Sequence, residues 1–582
     1  MDSEKDSNLA RVTTMESNVV VGPQAADMTD FPPPSEEEKA TLRRVPDGIP
    51  WLTFVLCFVE LAERASYYGV QTIFNNFMQF PLPEGGNGSG AVGPNDPNGH
   101  AGALGMGLQF ASAFGILFTF LAYVIPLFGA FIADTKLGRY KTIVIGVVIG
   151  GVAHLIMIVG AAPSILRAGK GMAPFMVSFF LLAIGAGIFK PSVAPTVLDQ
   201  YTHQFQYTKV LKTGEKVIVD PEQTIQRIML VFYAMINLGS FFAIATTYTE
   251  KYVGFWAAFL EPGVVYFLLP VVLALVYNKT IKKPPMGSEL TEFIKITVCF
   301  VKQSKGRFWR KDTWEKVRPA RMAEQGVTVS WSDTAVDDVQ RTLSACAVFF
   351  YFPIYNINDG GVGAVSSNQG AAMVTNGAPN DLLVNFNSLA IIAFTPFVTY
   401  ILYPFLARRK FRFGPMARIT VGFLIAATSG IIGGLVQWRV YATSPCGYNA
   451  STCDEVSPLS IWWQIPNVTL GAISEVFSNV TAFELAYVRA PPHLKAVVYA
   501  IFFLTYALSS ALSWIVLPAI VDPYLIWAWC APAIALFAQT AIFWYRHRHM
   551  DEESYINKDH EAENHAATLQ DEERVGKLEE TS

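Results

Sequence analysis

An all-α membrane protein, with twelve transmembrane helices in two six-helix bundles, is the fold this sequence predicts. Three observations lead there. Of the 582 residues, 52% are apolar and only 15% charged, whereas a soluble chain carries about 25% charged residues. Apolar segments recur along the chain, each about as long as the ~20 residues that cross a bilayer. The longest polar interruption, near 281–338, falls between the sixth and seventh of them.

The chain opens on a polar tail. Residues 1–47 hold 5 Lys and Arg against 10 Asp and Glu, and residues 551–582 hold 3 against 11. Acidic, polar ends with few aromatic residues predict disordered tails. MDSEKDSNLARVTTMESN has no apolar core, so no cleavable signal peptide is expected and the first helix must direct insertion. The expected division is a tail over 1–47, a first bundle over 48–280, a linker over 281–338, a second bundle over 339–550 and an acidic tail over 551–582.

The spans fall near 50–78, 103–133, 141–162, 173–198, 228–248, 254–278, 342–358, 384–406, 416–440, 460–487, 497–520 and 525–546. Basic residues gather in cytoplasmic loops, and here they cluster in TKLGRYK after span 2, ARRKFRFGPMAR after span 8, VRAPPHLK after span 10 and YRHRH after span 12. Loops 1–2, 7–8 and 9–10 are nearly free of them, Arg167 and Lys170 in loop 3–4 being the exception. Both termini are therefore expected in the cytoplasm. In the linker, LTEFIKITVCFV (290–301) has apolar residues at helical spacing. It suits either a helix lying on the membrane surface or a cytoplasmic extension of span 6. The loop between spans 9 and 10 carries Cys446, Cys453 and the acceptor sequence Asn449-Ala-Ser; loop 1–2 carries a second, Asn87-Gly-Ser. A disulfide and glycans both belong on the outer face.

Charge inside the membrane is the sharper signal. Residues 59–70, VELAERASYYGV, place Glu60, Glu63, Arg64, Tyr67, Tyr68 and Gln71 on one stripe of the first helix at 100° per residue. Each charge costs about 2.5–3.5 kcal/mol near the bilayer centre, and such groups mark pathways for substrates or ions. Glu60 and Arg64 are spaced to pair, which leaves Glu63 partly uncompensated. Lys190 sits deep in span 4 before Pro191, where a bend is expected, and Gly185 and Gly187 permit close helix approach. Asn237 lies deep in span 5 and Glu475 deep in span 10. Arg64 and Lys190 in one half, with Glu475 in the other, suit a zwitterion with separated ends. His154 is the one histidine at membrane depth and reads as packing. No nucleophile–base pair, metal-ligand cluster or phosphate-binding loop is visible, so an enzyme is not expected.

ELAERASYYG, GAFIADTKLGRYKTI, FYAMINLGS and EVFSNVTAFELAYVRAP, in that order, closely resemble motifs of the proton-coupled oligopeptide transporter family, a branch of the major facilitator superfamily. The resemblance runs over about 48–548. It implies the major facilitator fold, with Glu60, Glu63 and Arg64 as a proton-coupling cluster. Arg64 and Lys190 would take the carboxylate end of a peptide, and Glu475, with Asn237 and Asn387, the amino end; Tyr68 and Tyr123 would line the pocket. Ala65 departs from the aromatic residue usual there. The acid that pairs with the fourth-helix lysine in bacterial relatives has no match in register, Asp359 alone being near its place. Asp134, Gly138 and Arg139 resemble the superfamily's loop 2–3 motif, a conformational latch. The linker and acidic tails suggest a fungal-type member.

The expected function is proton-coupled symport of di- and tripeptides into the cell by alternating access, at the plasma membrane. The proton gradient drives it without a cofactor; its partners are short peptides, protons and the lipid bilayer, with no nucleic acid. Two alternatives stand beside it: the same fold carrying nitrate or an amino acid, and a peptide-sensing receptor signalling through its tails.

Overall fold

The structure is a computed structural model and describes residues 32–551 except 95, 204, 283–284, 286–288, 305–311, 360, 410–412, 454, 490 and 492–493. Most of the two tails lies outside the described residues. Residues 32–47, expected to be disordered, are ordered in part. Ser35 caps a short helix, Glu36–Thr41, by accepting from the Glu38 amide, while Glu38 accepts from the Ser35 amide. This reciprocal pair satisfies two otherwise free N–H groups. The next strand, β1 (Arg44–Val45), runs parallel to β3 (Lys216–Val219), which pairs antiparallel with β2 (Tyr207–Val210). The hairpin between spans 4 and 5 thus holds the tail against the first bundle.

The described residues form twelve spans. Those of the first half are α1 (Trp51–Gln79), α2 (Gly107–Ile132), α3 (Arg139–Gly160), α4 (Met172–Leu198), α5 (Pro221–Ser240, continued as Phe242–Tyr252) and α6 (Phe255–Phe267 with Leu269–Val276). Of the second half, α7 runs through Asp333–Ala345, Cys346–Tyr351 and Phe352–Asn358. Four short pieces, Leu382–Asn385, Phe386–Pro396, Phe397–Leu402 and Tyr403–Arg408, make up α8. Then follow α9 (Pro415–Thr443), α10 (Ile465–Arg489), α11 (Lys495–Val516) and α12 (Leu525–His547). Among the described residues, eight helices are long and apolar enough on their own to cross a membrane. The remaining four are α1, with three buried charges, the broken helices α7 and α8, and α10, which carries Glu475.

Apolar faces explain the assembly. Phe74 of α1 stands edge-on to Phe118 and Phe175, at 5.2 Å in each case, within the core of the first bundle. Aromatic pairs favour this geometry over face-to-face stacking. A second core, around Phe352, Tyr355 and Phe423, joins α7 to α9. Helices α3 and α4 meet where Gly146 and Gly150 face Gly185, and a Cβ on Gly185 would stand 2.9 Å from the Gly146 carbonyl oxygen. Gly187 approaches Ile125 of α2 as closely. Helix α4 continues through Pro191 and Pro195 to Leu198.

The linker helix Glu289–Ser304 buries Phe293, Ile296 and Phe300 against Val336 and Val339 of α7 and Val497 of α11. Ile294, Val298 and Val301 on the adjoining face stay exposed. Arg139 bridges Asp199 (3.0 Å) and Asp134 (3.6 Å), so the loop 2–3 motif ties the ends of α2 and α4 within one bundle. Arg167, the exception to the charge pattern, donates to the Asn87 carbonyl across the neighbouring loop. Cys446 and Cys453 are joined in a disulfide. The Asn87 side chain donates to the Val253 carbonyl, whereas Asn449 is exposed.

The hydrogen bonds that join the halves gather at the end opposite the N-terminal tail. Gln79 donates to Asn368 (2.6 Å), Asn98 accepts from the Thr375 and Asn376 amides, and Tyr252 donates to the Gly377 carbonyl. Nearer the middle, Tyr123 of α2 stacks on Tyr506 of α11 at 4.8 Å.

Because the α3–α4 contact is backbone against backbone, Gly185→Val should destabilise the protein by about 1–3 kcal/mol. Gly151→Ala, in the same helix as Gly146 but with nothing within 4 Å, should leave it unchanged. Thermal unfolding in detergent, followed by loss of the monodisperse peak, checks the pair.

Candidate transport site

Helix α1 delivers the first group of charges. Its apolar residues pack on α2, α5 and α6, so the polar stripe is turned inward, away from lipid. Glu60, Glu63 and Arg64 are 4%, 1% and 5% exposed. Arg64 Nε stands 3.1 Å from Glu60 Oε1, and its Nη2 meets Glu63 Oε2. One guanidinium therefore serves both carboxylates. Glu63, expected to be left partly uncompensated, shares the cation of Glu60, because arginine presents donors on two edges.

Lys190 reaches the same region from α4. Its ammonium stands 4.2 Å from the ring centre of Tyr67 and 5.2 Å from that of Tyr123. Ring faces attract a cation without neutralising it. Among the described residues no carboxylate lies within ion-pair distance of Lys190. Asp359 is not its partner, in keeping with the mismatch of register.

Asp359 serves the opposite side. Ending α7, it lies within hydrogen-bonding reach of Glu475 on α10. Asn387, at the start of α8, donates to Glu475 Oε1 at 2.7 Å. The second half thus presents two carboxyls in contact with amide donors around them. The Asn237 amide donates to the Tyr233 carbonyl one turn back on α5 (2.8 Å), which uses one of its two N–H groups and leaves its Oδ1. That local bond competes with any partner across the site.

Tyrosines connect the two sides. Tyr68 packs edge-on against Tyr67 at 5.3 Å, with the Arg64 guanidinium 6.0 Å from its ring centre. Tyr123 lies within electrostatic reach of both Arg64 and Glu475. Tyr68, Tyr123, Lys190, Asn387 and Glu475 are all partly accessible. His154 is fully buried and pairs with Ser66 at 2.6 Å beside Tyr266, which is a packing role.

Two features were not read from the sequence. The Asp359–Glu475 contact joins residues more than a hundred positions apart, and no local pattern announces it. Tyr506 is one tyrosine in an apolar helix, FFLTYALSS, and only its stack on Tyr123 reveals its place. Among the described residues, no group of three or more His, Cys, Asp or Glu could hold a metal ion.

The arrangement has relatives. The PTR2 family profile, described as the POT family, matches residues 140–529. The chain is 55% identical to the MFS-type transporter ucsM of Acremonium sp, over 90% of this chain and 88% of that protein. It is 39% identical to the peptide transporter PTR2 of Candida albicans, over 95% of this chain and 94% of that one. A crystal structure of an auto-inhibited POT family peptide transporter shares the fold, with a TM-score of 0.63 at 20% identity, over 86% of this chain and 97% of that one. Motifs, fold and similarity agree that this chain belongs to the POT family of membrane transporters.

Proposed function

We propose that the protein imports di- and tripeptides together with protons by alternating access across the plasma membrane, both termini being cytoplasmic. The observation that carries this reading is the separation of charge across one partly accessible space. Arg64 and Lys190 lie on one side, Glu475 with Asp359 on the other, and Tyr123 between them. A peptide carries a carboxylate and an ammonium at its two ends, which is the complement of that arrangement.

Coupling follows from charge balance. Glu60 and Glu63 are matched by Arg64 and Lys190, two against two. A peptide carboxylate docking on Arg64 and Lys190 adds one negative charge in a poorly hydrated place, where an unbalanced charge is costly. A proton on Glu60 or Glu63 restores neutrality and frees Arg64 to hold the carboxylate. Peptide and proton therefore stabilise each other on the protein. The membrane potential adds about 2.3 kcal/mol per charge for each 100 mV. The closed end opposite the N-terminal tail corresponds to a protein open toward the cytoplasm, ready to release both.

A second reading keeps the mechanism and changes the cargo. A structural neighbour, 19% identical with a TM-score of 0.60, is a POT family transporter in complex with 5-aminolevulinic acid, itself an amino acid with separated ends. Nitrate fits the site less well, since it offers nothing to Glu475 and Asp359.

Uptake of a labelled dipeptide into cells should rise as external pH falls, and an ionophore that collapses the proton gradient should abolish its accumulation. Unlabelled dipeptides should compete; competition by single amino acids alone would transfer the proposal to the second reading. Glu475→Gln should weaken dipeptide binding by about 2 kcal/mol, about 30-fold in KM, since it removes one member of a buried charge contact. Glu60→Gln and Glu63→Gln should lose net uptake but retain counterflow exchange, in which no net proton movement is needed. Loss of both in equal measure would assign these residues to binding instead.

A further inference from the structure

Where the halves are joined, a second group of ionisable side chains lies apart from the transport site. Glu250, near the end of α5, and Asp381, immediately before α8, are each 0% exposed. Their carboxyls lie within hydrogen-bonding reach of each other. One belongs to the first half and the other to the second, so their contact exists only while this end is closed.

One amide donor reaches the pair, and the other donors nearby are spent elsewhere. Asn76 of α1 donates to Glu250 Oε1 (2.6 Å) and to Asn380 Oδ1 (2.9 Å), and Asn380 donates back to Asn76 Oδ1. Lys251 is the nearest cation, and its ammonium has three hydrogens. Its three hydrogen-bond partners are the Pro97 carbonyl, the Thr375 hydroxyl and the Ala378 carbonyl. Asp96 and His100, from loop 1–2, face Lys251 rather than the acid pair. Burial, with Lys251 nearby, pushes His100 down to about 4, which keeps its ring neutral. Glu250 Oε2 and both Asp381 oxygens are left with no donor. Two ionised carboxylates cannot rest in contact in so dry a place, and one proton between them supplies the missing donor.

We propose that Glu250 and Asp381 form a proton-operated clasp, in which one shared proton holds this end of the transport path closed and its loss lets the end open. The transfer is simple: the pair takes one proton from water at the mouth, and the O–H of one carboxyl donates to the other. When the halves part, both carboxyls are hydrated, return to ordinary carboxylate acidity and give the proton up. The inference rests on alternating access and not on the identity of the cargo.

The sign of the pH effect follows. Burial pushes the Asp381 carboxyl up to about 7 in the closed form, so the closed form binds at least one more proton than the open form over a range reaching down to ordinary carboxylate values. Acid therefore favours closure, and closure weakens as pH rises through about 7. Between pH 6 and 8 the closed-to-open ratio should fall at least about tenfold.

Thr72 lies one helical turn toward the membrane middle from Asn76, across from Asn385, and reports on this gate. The full-length protein with Thr72→Cys, in intact cells without cargo, is labelled by an impermeant maleimide. Rates are normalised to Lys170→Cys in exposed loop 3–4, which carries the reagent's own pH dependence. Normalised labelling should rise at least about tenfold from pH 6 to 8. Adding Asp381→Asn, whose amide donates to Glu250 permanently, should hold it low at both values. A flat profile with Asp381 intact, or an unchanged slope in Asp381→Asn, overturns the clasp. Should that variant fail to reach the surface, Glu250→Gln is read the same way and decides. Dipeptide uptake does not enter the measurement, so a wrong cargo leaves its outcome intact.

Discussion

One arginine between two carboxylates is the constraint on which the first half depends. Arg64 holds Glu60 and Glu63 together, and all three are carried by a helix that must also cross a membrane. An isolated carboxylate at that depth would be driven to its neutral form. The shared guanidinium makes the charged form tolerable but leaves it short of balance, since one cation faces two acids. Lys190 closes the deficit from another helix through space, touching aromatic faces and no carboxylate. The positions of α1, α2 and α4 are thus tied electrostatically. That gives the close glycine contact of α3 and α4 a second consequence, because it fixes the helix that carries Lys190.

Much of this was legible in the sequence, for a physical reason. Membrane helices are written in continuous apolar runs, so their number and order could be read directly. Charges within those runs stand out because they are expensive. Glu60, Glu63, Arg64, Lys190 and Glu475 were visible on that ground alone, and the structure turns all five inward. What could not be read was which charge meets which. The spacing of Glu60 and Arg64 suggested one pair, yet the rotation of the Arg64 side chain decided that Glu63 shares it. Asn237 lies as deep as expected, and the bond of one of its N–H groups to the Tyr233 carbonyl is a choice of side-chain torsion that spacing does not encode. The ordered residues 36–45 were hidden differently. Acidic composition argued for a free tail, whereas the ordering comes from a distant hairpin at 207–219 that supplies the missing partner strand.

Three groups of acids run through the molecule, and what neutralises each differs. Glu60 and Glu63 meet a resident arginine. Glu475 and Asp359 meet amides, with no base beside them among the described residues, so the cation they want is a mobile one. Glu250 meets one amide, that of Asn76, and Asp381, whose oxygens have no other side-chain donor among the described residues. A resident cation gives a standing charge, a missing cation selects a cargo, and a missing donor calls for a proton. Arranged from the centre to the closed end, these are the groups we propose for the coupling, recognition and gating that a symporter requires.

The same arithmetic explains why the order of events cannot be reversed freely. In the proposed cycle, with this end closed by a proton on the Glu250–Asp381 pair, a peptide already bound has only the other exit. On the proposed reading its carboxylate holds Arg64 and Lys190, which keeps a proton on Glu60 or Glu63. That proton is lost when the cytoplasmic side becomes wet, for hydration restores ordinary carboxylate acidity. Arg64 then returns to its two acids, and the peptide's hold on the site weakens at the moment the exit opens. In this proposal release is driven by the competition of Glu60 and Glu63 with the cargo for one guanidinium. An arginine flanked by a single acid would lack that competition, and would hold either its partner or its peptide without a reason to exchange them.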